Sequence, residues 1–298
     1  MDFGYEFGYG LGRVSQKHSF PAGSLISCPY SSPRRMSSAE ELDRLLLQET
    51  IDCAILLQWS RRSAGFLSHP LRRRVWPKLL GVNRYSSTVN WSEGLGHRDL
   101  QQVRMDVERS FQNILVARSA PLSEERIEHR RKALERITMT FLEAHPGLYY
   151  YQGLNDIFGA ILLVLDDERM AYAVCEAVAL RFLTDFMQPD FKSLAVLMRL
   201  ILLIVKETDD ELHRFLQDIH MEPYFATSWM VTWLAHDLKE LSRMARLIDA
   251  ILCSVPLFII YLSAAIVIHF KKGILKCFPD IPSVHSYIGT LNTSQGNF

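Results

Sequence analysis

The strongest constraint on the fold is a helical spacing of apolar residues that continues from Ser38 almost to the end of the chain. Apolar side chains recur every three or four residues, as on one face of a helix. Short breaks rich in turn residues separate these stretches, among them SHP, HPGLYYYQG and MQPD. No run of alternating apolar and polar residues indicates a strand. The sequence therefore predicts an all-α fold, several helices packed into one body with no significant sheet.

The beginning of the chain differs from the rest in composition. Residues 1–37 are rich in Gly, Tyr, Ser and Pro and show no helical period, which is typical of a flexible tail. From Ser38, a capping serine, early acids and repeated apolar residues predict a helix that continues to Trp59. We therefore expect a tail at 1–37, one helical domain at 38–288 and a polar C-terminal end at 289–298.

Composition excludes several classes of function. The 33 basic residues are balanced by 33 acidic residues, so the chain lacks the excess positive charge that sequence-independent nucleic-acid binding requires. Its 5 cysteines are dispersed without a CxxC pair, which argues against a disulfide framework and a zinc finger. The N-terminus lacks the apolar run of a secretory signal peptide. We expect a protein of a reducing compartment, with no nucleic-acid partner and no metal of its own.

One segment allows two interpretations. Ala250–Ile268 contains 19 residues and no charge, which is long enough for a membrane-spanning helix. Pro256 divides the segment, however, and a helix that is apolar on all sides also suits the centre of a large helical domain. The residues alone leave both a buried core helix and a membrane span open.

The first of three candidate motifs is LRRRVWPKLLG, from Leu71 to Gly81. Leu71 and Val75 share one helix face, which Trp76 extends, whereas Arg72 is displaced from it. The simplest interpretation is a surface helix with a solvated basic face.

The second motif is DLQQVRMDVERSFQNIL, from Asp99 to Leu115. Its apolar residues form one stripe, and Asp106 and Arg109 lie on the opposite face, where they meet at i, i+3. One interpretation is a solvated polar face. The other is an arginine held by a carboxylate and available to an anionic group of a partner, since a guanidinium donates several hydrogen bonds to phosphate oxygens.

The third motif is LYYYQGLNDI, from Leu148 to Ile157. A helix is predicted to end at HPG, and a new one to begin near Asn155 or Asp156, either of which suits an N-cap. Gln152 and Gly153 would then occupy a loop at a helix N-terminus, where exposed amides favour anions. Gln152 either satisfies local backbone in the turn or orients a water or phosphate.

In this order the three motifs resemble a known family. The elements are RxxVW (Arg72, Val75, Trp76), VxxDxxR (Val103, Asp106, Arg109) and YxQG followed by ND (Tyr150, Gln152, Gly153, Asn155, Asp156). The chain thereby resembles the TBC domain, the Tre-2/Bub2/Cdc16 family of Rab GTPase activators. FATSWMVTWLAHDL and RLID extend the likeness, with Ile248 in place of the usual aromatic residue, and the match covers roughly residues 64–288. Other details look most like the branch called member twenty.

The resemblance implies an all-helical fold and a site with two fingers. Arg109 would be an arginine finger and Gln152 a glutamine finger, both of which enter the active site of a Rab. The remaining motif residues would support these two or contact the Rab: Arg72, Trp76, Asp106, Tyr150, Gly153, Asn155 and Asp156.

The resemblance also implies the partner and the setting. The partner would be a GTP-bound Rab that carries the GTP and the magnesium, so that this chain needs no cofactor and has no catalytic activity of its own. It would be cytoplasmic and act at the cytosolic face of early secretory membranes, associating with them peripherally through the Rab. The family makes Ala250–Ile268 a buried core helix. The family domain normally continues further, so a shortened domain that binds a Rab without activating it is the alternative.

Overall fold

The structure is a computed structural model of the 298-residue chain. It describes residues 37–48, 51–83, 89–112, 114–117, 120–121, 123–190, 192–238 and 240–294. Of the predicted tail at 1–37 only Ser37 belongs to the described residues. The predicted polar end at 289–298 begins inside a helix that continues to Ser294, and residues 295–298 lie outside the described part. The domain limits stay a prediction.

Helices make up nearly all of the described secondary structure, which confirms the predicted all-α fold. They are α1 (Ser38–Leu46), α2 (Cys53–Ser60), α3 (His69–Leu80), α4 (Leu100–Arg109), α5 (Glu124–Ala144), α6 (Leu154–Leu165), α7 (Glu168–Val178), α8 (Lys192–Thr208), α9 (Asp210–Asp218), α10 (Thr227–Thr232), α11 (Leu241–Leu252), α12 (Phe258–His269), α13 (Lys271–Ile274) and α14 (Ile281–Ser294). A π-helical turn covers Ala179–Leu183 and a 3-10 turn covers Pro223–Ala226. The described strands form one short antiparallel ladder between β1 (Leu115–Ala117) and β2 (Ala120–Pro121).

Helix α6 lies at the centre of the core. After the polar pair Asn155 and Asp156 in its first turn, its sequence LNDIFGAILLVL is apolar on every side, and 10 of its 12 residues are buried. Helices α3, α5, α7 and α11 pack around it, while α10 and α4 contact it at fewer positions. A helix that is apolar all round has no face suited to water, so it takes the central position. This placement anchors the N-terminal end of α6, which begins two residues after Gln152.

The first predicted helix is divided in the structure. Instead of continuing from Ser38 to Trp59, α1 ends at Leu46 and α2 begins at Cys53. Asp52 is the N-cap of α2, where its Oδ1 accepts a hydrogen bond from the backbone N of Ala54 at 2.8 Å. A short acidic side chain stabilises a helix start in this way, and the prediction of one long helix was wrong because this cap was overlooked.

The uncharged segment Ala250–Ile268 is also divided. Helix α11 ends at Leu252, and α12 begins only at Phe258, after Pro256. Helix α12 packs on α8 and α10, and it buries Ile259, Ile260 and Val267 among other residues. None of the helices that the structure describes is long and apolar enough to cross a membrane.

Candidate functional site

The centre of the candidate site is Asp106 on α4, whose side chain is buried with 2% exposure. Its Oδ1 accepts hydrogen bonds from Gln102 Nε2 at 3.2 Å and from Arg109 Nη2, and its Oδ2 accepts one from the Tyr150 hydroxyl at 2.9 Å. The solvated polar face that the spacing indicated is therefore wrong for Asp106. Buried carboxylates need several donors, and here one of them comes from a distant part of the chain.

Arg109 is the last residue of α4 and is held on one side only. Its Nη2 donates to Asp106, and its Nε donates to the carbonyl oxygen of Met105 at 3.2 Å. The side chain nevertheless remains 61% exposed. A guanidinium has five N–H groups in a planar fork, so Arg109 keeps donors for an anionic ligand. The contact between Asp106 and Arg109 at i, i+3 was correctly predicted.

Tyr150 links this helix to the loop before α6. Its hydroxyl lies 2.9 Å from Asp106 Oδ2 and 3.3 Å from Asn155 Oδ1, and its backbone N donates to Asp99 Oδ2 at 3.1 Å. Burial raises the pKa of the phenol well above its usual range, and the negative charge of Asp106 and the hydrogen bond to it raise the pKa further. The hydroxyl therefore stays protonated and serves as a permanent donor to the carboxylate.

We expect Tyr150→Phe to lower the free energy of unfolding by about 1–3 kcal/mol, because the substitution leaves a buried carboxylate oxygen without its donor. Urea denaturation followed by circular dichroism measures the loss. Tyr261→Phe is the matched control, since Tyr261 is 54% exposed on α12. Equal stability of the two variants would contradict a structural role for the Tyr150 hydroxyl.

The loop between α5 and α6 is clamped by a residue that the sequence did not single out. Arg98, just before α4, donates from Nη2 to the carbonyl oxygens of Pro146 at 3.1 Å and Leu148 at 2.6 Å. Its guanidinium carbon also lies 3.8 Å from the ring centroid of Tyr149. The segment that leads into α4 thus holds the backbone of the loop that contains Gln152. No local pattern marks this contact, since it joins residues about 50 positions apart.

Gly153, not Asn155 or Asp156, is the N-cap of α6, so the predicted cap was wrong. Gly153 has a φ of 111°, a backbone conformation that residues with a Cβ rarely adopt. A Cβ there would lie 2.7 Å from the methyl carbon of Thr232 on α10. Asn155 lies inside the first turn, where its Oδ1 accepts from the Gly153 N at 3.2 Å and its Nδ2 donates to Ser110 Oγ at 3.0 Å.

Gln152 lies immediately before this cap, and its side chain is exposed. Within the part of the chain that the structure describes, its amide makes no hydrogen bond. The alternative in which Gln152 satisfies the local backbone is therefore not what the structure shows. The amide is accessible at the N-terminus of α6, on a loop that its neighbours hold in place.

Asp156 has a partner that the sequence analysis missed. Its Oδ1 accepts from Asn155 Nδ2 at 3.2 Å, and its Oδ2 lies 3.3 Å from Nδ1 of His236, in the turn after α10. The hydrogen bond with Asp156 raises the pKa of His236 above its ordinary value, although burial opposes this. The sequence placed His236 in a segment that resembles the family, but nothing in its spacing paired it with Asp156.

Arg72 and Trp76 belong to a second, fully buried cluster around Asp249 of α11. Arg72 donates from Nε to both carboxylate oxygens at 3.1 and 3.0 Å and from Nη2 to Oδ2 at 2.9 Å. Trp76 Nε1 donates to Oδ1 at 2.8 Å and the backbone N of Phe66 to Oδ2 at 3.1 Å. With 4% exposure, Arg72 is not on a solvated face and is not available to a partner. It holds α3 against α11.

The Asp249 cluster is tightly enclosed. Burial raises the pKa of Asp249, and the hydrogen bond and charge of Arg72 lower it in part, as do the donors of Phe66 and Trp76. Gly65 has a φ of 53°, and a Cβ there would lie only 2.4 Å from Asp249 Oδ2. Asp249 is a supporting residue that the sequence analysis did not select, although it ends the RLID segment.

The structure thus brings most of the predicted site residues into one place. Arg109 and Gln152 are exposed, and partly buried hydrogen bonds connect Arg109, Asp106, Tyr150 and Asn155. No group of His, Cys, Asp or Glu within the described ranges could hold a metal ion.

Comparison with known sequences gives one family. The model of the Rab-GTPase-TBC domain matches residues 69–275. The chain is 34% identical over 260 residues to TBC1 domain family member 20 of Bos taurus, covering 87% of this chain and 63% of that protein. It is 33% identical to the Homo sapiens protein of the same name, with the same coverage. It is 30% identical over 249 residues to the GTPase-activating protein gyp10 of Schizosaccharomyces pombe, covering 82% of this chain and 65% of the relative. The chain thus spans just under two thirds of these relatives' length.

Solved structures show the same fold. The flagellar RabGAP TBC domain of Chlamydomonas superposes with a TM-score of 0.65 at 18% identity, over 85% of this chain and 83% of that one. The Ypt/Rab-GAP domain of Gyp1p superposes with a TM-score of 0.59 at 18% identity, over 84% of this chain and 90% of that one.

Proposed function

The chain belongs to the Rab-GTPase-TBC domain family, and from this premise we propose that it accelerates GTP hydrolysis by a Rab-family GTPase. Arg109 and Gln152 are the side chains that enter the partner's active site. The observation that supports this proposal is that one hydrogen-bonded network, formed by Asp106, Tyr150 and Asn155, holds the Arg109 side chain and the backbone N of Gly153, the residue next to Gln152.

Arg109 supplies positive charge where the reaction needs it. Phosphoryl transfer builds negative charge on the oxygens of the transferred group, so catalysis is mostly positioning and electrostatic stabilisation. A guanidinium donates to several of these oxygens at once. Asp106 and the carbonyl oxygen of Met105 bind one side of the group and orient it before the Rab arrives, which reduces the ordering required at encounter.

Gln152 positions the water that attacks the terminal phosphate. An amide carries both a donor and an acceptor, so the oxygen of the side chain accepts a hydrogen bond from the water while its NH2 group donates one to a neighbouring oxygen. The Arg98 clamp and the Gly153 cap fix the backbone on both sides of this residue. Holding the water in the orientation needed for attack lowers the activation barrier substantially, because the reacting groups no longer depend on a random encounter.

The partner carries the nucleotide chemistry. GTP and magnesium are bound by the Rab, and this chain completes the active site without a cofactor or independent catalysis. It reaches the cytosolic face of early secretory membranes through the membrane-associated Rab.

A hydrolysis screen tests the proposal. The purified chain is added to a panel of GTP-loaded Rab proteins, and phosphate release is followed under single-turnover conditions. We expect at least one Rab to respond. If the chain binds a GTP-loaded Rab without accelerating hydrolysis anywhere in the panel, it is a recruiting module. If it neither binds nor accelerates, the family assignment does not extend to this function.

We expect Gln152→Ala to reduce the stimulated rate on a responsive Rab on the order of 10²-fold, the loss typical of removing one positioned polar group from a transition state. Thermal unfolding should be unchanged, since the side chain is exposed. Gln217→Ala, on the exposed surface of α9, is the matched control and should leave the rate unchanged. Equal rates for both variants would rule out the glutamine finger.

A further inference from the structure

His236 lies next to the proposed site, in the segment FATSWMVTWLAHDL, but is not one of the predicted site residues. Its Nδ1 is 3.3 Å from Oδ2 of Asp156, and its side chain is 69% exposed, compared with 61% for Arg109. Asp156 is in the first turn of α6, three residues after Gly153. The histidine therefore contacts the helix end that carries the Gln152 loop while remaining accessible to a partner.

Helix α10 and the turn after it support the same loop. Gly153 approaches α10 so closely that a Cβ would collide with the Thr232 methyl group. Trp233, directly after α10, adopts a φ of 52° and packs edge-to-face on Phe182 with a centroid separation of 5.8 Å. The turn that carries His236 is thus anchored in the core at one end and against Asp156 at the other.

The charges around His236 come from three elements. Asp156 on α6 raises its pKa by hydrogen bonding and charge, and Asp237 in the same turn raises it by charge. The positive charge of Arg109 on α4 opposes this and lowers the pKa. With one carboxylate in direct contact, the imidazole is held in its protonated form to higher pH than a free histidine.

We propose that His236 is a positioning residue for Gln152, acting through its ion pair with Asp156. This inference rests on the proposed function. The protonated imidazole ties the first turn of α6 to the turn after α10, so the loop that precedes α6 keeps the orientation in which Gln152 meets the partner.

The direction of the pH effect follows from the raised pKa. The His236 interaction is fully present below the ordinary pKa of histidine and is lost as the pH rises through the higher pKa of the folded state. Deprotonation removes the charge of the imidazole and with it the ion pair to Asp156. The contribution of His236 to the stimulated rate should therefore fade as the pH rises through this raised pKa.

The test compares the wild type with His236→Gln on a responsive Rab, between about pH 5.5 and about pH 8.5, a range that spans imidazole titration. We expect the variant to be about two- to fivefold slower at the acidic end, the range for one partly exposed charged contact. The rates should converge at the alkaline end.

The loss should appear in kcat rather than in KM, because Gln152 acts on the water. Asp156→Asn should give the same loss, and the double variant no more than either single one.

Two further variants make the test specific. His236→Lys keeps a cation at all pH values used. It should therefore restore much of the stimulated rate that His236→Gln loses at acidic pH, and this rate should not depend on the titration of an imidazole. His285→Gln, on the exposed face of α14 outside the site, is the matched control. NMR titration of the His236 ring should show a raised pKa that Asp156→Asn removes.

The outcomes separate this inference from the proposed function. If the wild type stimulates no Rab, the proposed function fails, and this inference fails with it. If the wild type is active but His236→Gln matches its kcat, KM and pH profile, only the role of His236 is overturned. A uniform, pH-independent loss accompanied by a lower melting temperature would also overturn it, since that result describes a purely structural residue.

Discussion

Arg109→Ala is expected to reduce the stimulated rate of GTP hydrolysis by about 10³- to 10⁵-fold, the range for an arginine finger supplied in trans. The side chain is 61% exposed, so its removal opens no cavity. Buried Asp106 keeps two side-chain donors, Gln102 and Tyr150, and we expect the free energy of unfolding to fall by only about 1 kcal/mol. Phosphate release on a responsive Rab measures the loss of stimulated rate, and urea denaturation of the same variant measures the loss of stability.

Two comparisons decide how Arg109 acts. Arg109→Lys retains the charge but loses the planar fork, so it should recover only part of the rate. Arg169→Ala, an exposed arginine on α7 outside the site, should leave the stimulated rate unchanged. A fully active Arg109→Ala variant would exclude the finger mechanism. A variant that lost its activity together with its fold would instead assign Arg109 a structural role.

The sequence predicted the contacts within α4 better than it predicted which residues pack against α4. The spacing of Asp106 and Arg109 at i, i+3 is sufficient to predict their ion pair, because helix geometry fixes it. It is not sufficient to predict that Asp106 is buried, since the Tyr150 hydroxyl that covers it comes from 44 residues further along the chain. Local periodicity identifies a polar residue that faces away from the apolar stripe. It contains no information on polar groups from distant parts of the chain that pack over this residue.

The start of α6 shows a second limit of local rules. Asn155 and Asp156 are both good N-cap residues, and the sequence offers no reason to prefer Gly153. The deciding factor is the close approach of α10, where only a residue without a Cβ fits beside Thr232. Asn155 still accepts a hydrogen bond from the backbone N of Gly153, although it lies in the first turn of the helix and not at the N-cap position.

The three consecutive arginines after Leu71 illustrate the same limit in α3. Arg73 is exposed, as the solvated basic face predicts, but Arg72 is buried against Asp249. The partner lies 177 residues away, so no pattern within α3 distinguishes the two positions. Only the resemblance to a family joined the RxxVW and RLID segments, and it did not state that they touch.

Asp249→Ala is expected to lower the free energy of unfolding by about 3–5 kcal/mol, the cost of leaving a buried guanidinium without its partner. The stability of a domain is only about 5–15 kcal/mol, so the variant should melt at a markedly lower temperature. Asp218→Ala, an exposed aspartate at the end of α9, should change stability by no more than about 0.5 kcal/mol. A stable Asp249→Ala variant would mean that water or another group satisfies Arg72.

A double variant identifies which part of this loss is due to the unpaired charge. In Arg72→Met with Asp249→Ala the buried cation is also removed, so the double variant should be more stable than Asp249→Ala alone. It should not reach wild-type stability, because Trp76 Nε1 and the Phe66 N still lack an acceptor. Two unsatisfied donors cost about 1–3 kcal/mol each. Since the cluster holds α3 against α11 and does not face the partner, these variants should lower the fraction of folded activator while each folded molecule retains its stimulated rate. Arg109→Ala should have the opposite result, with folded protein and no stimulation.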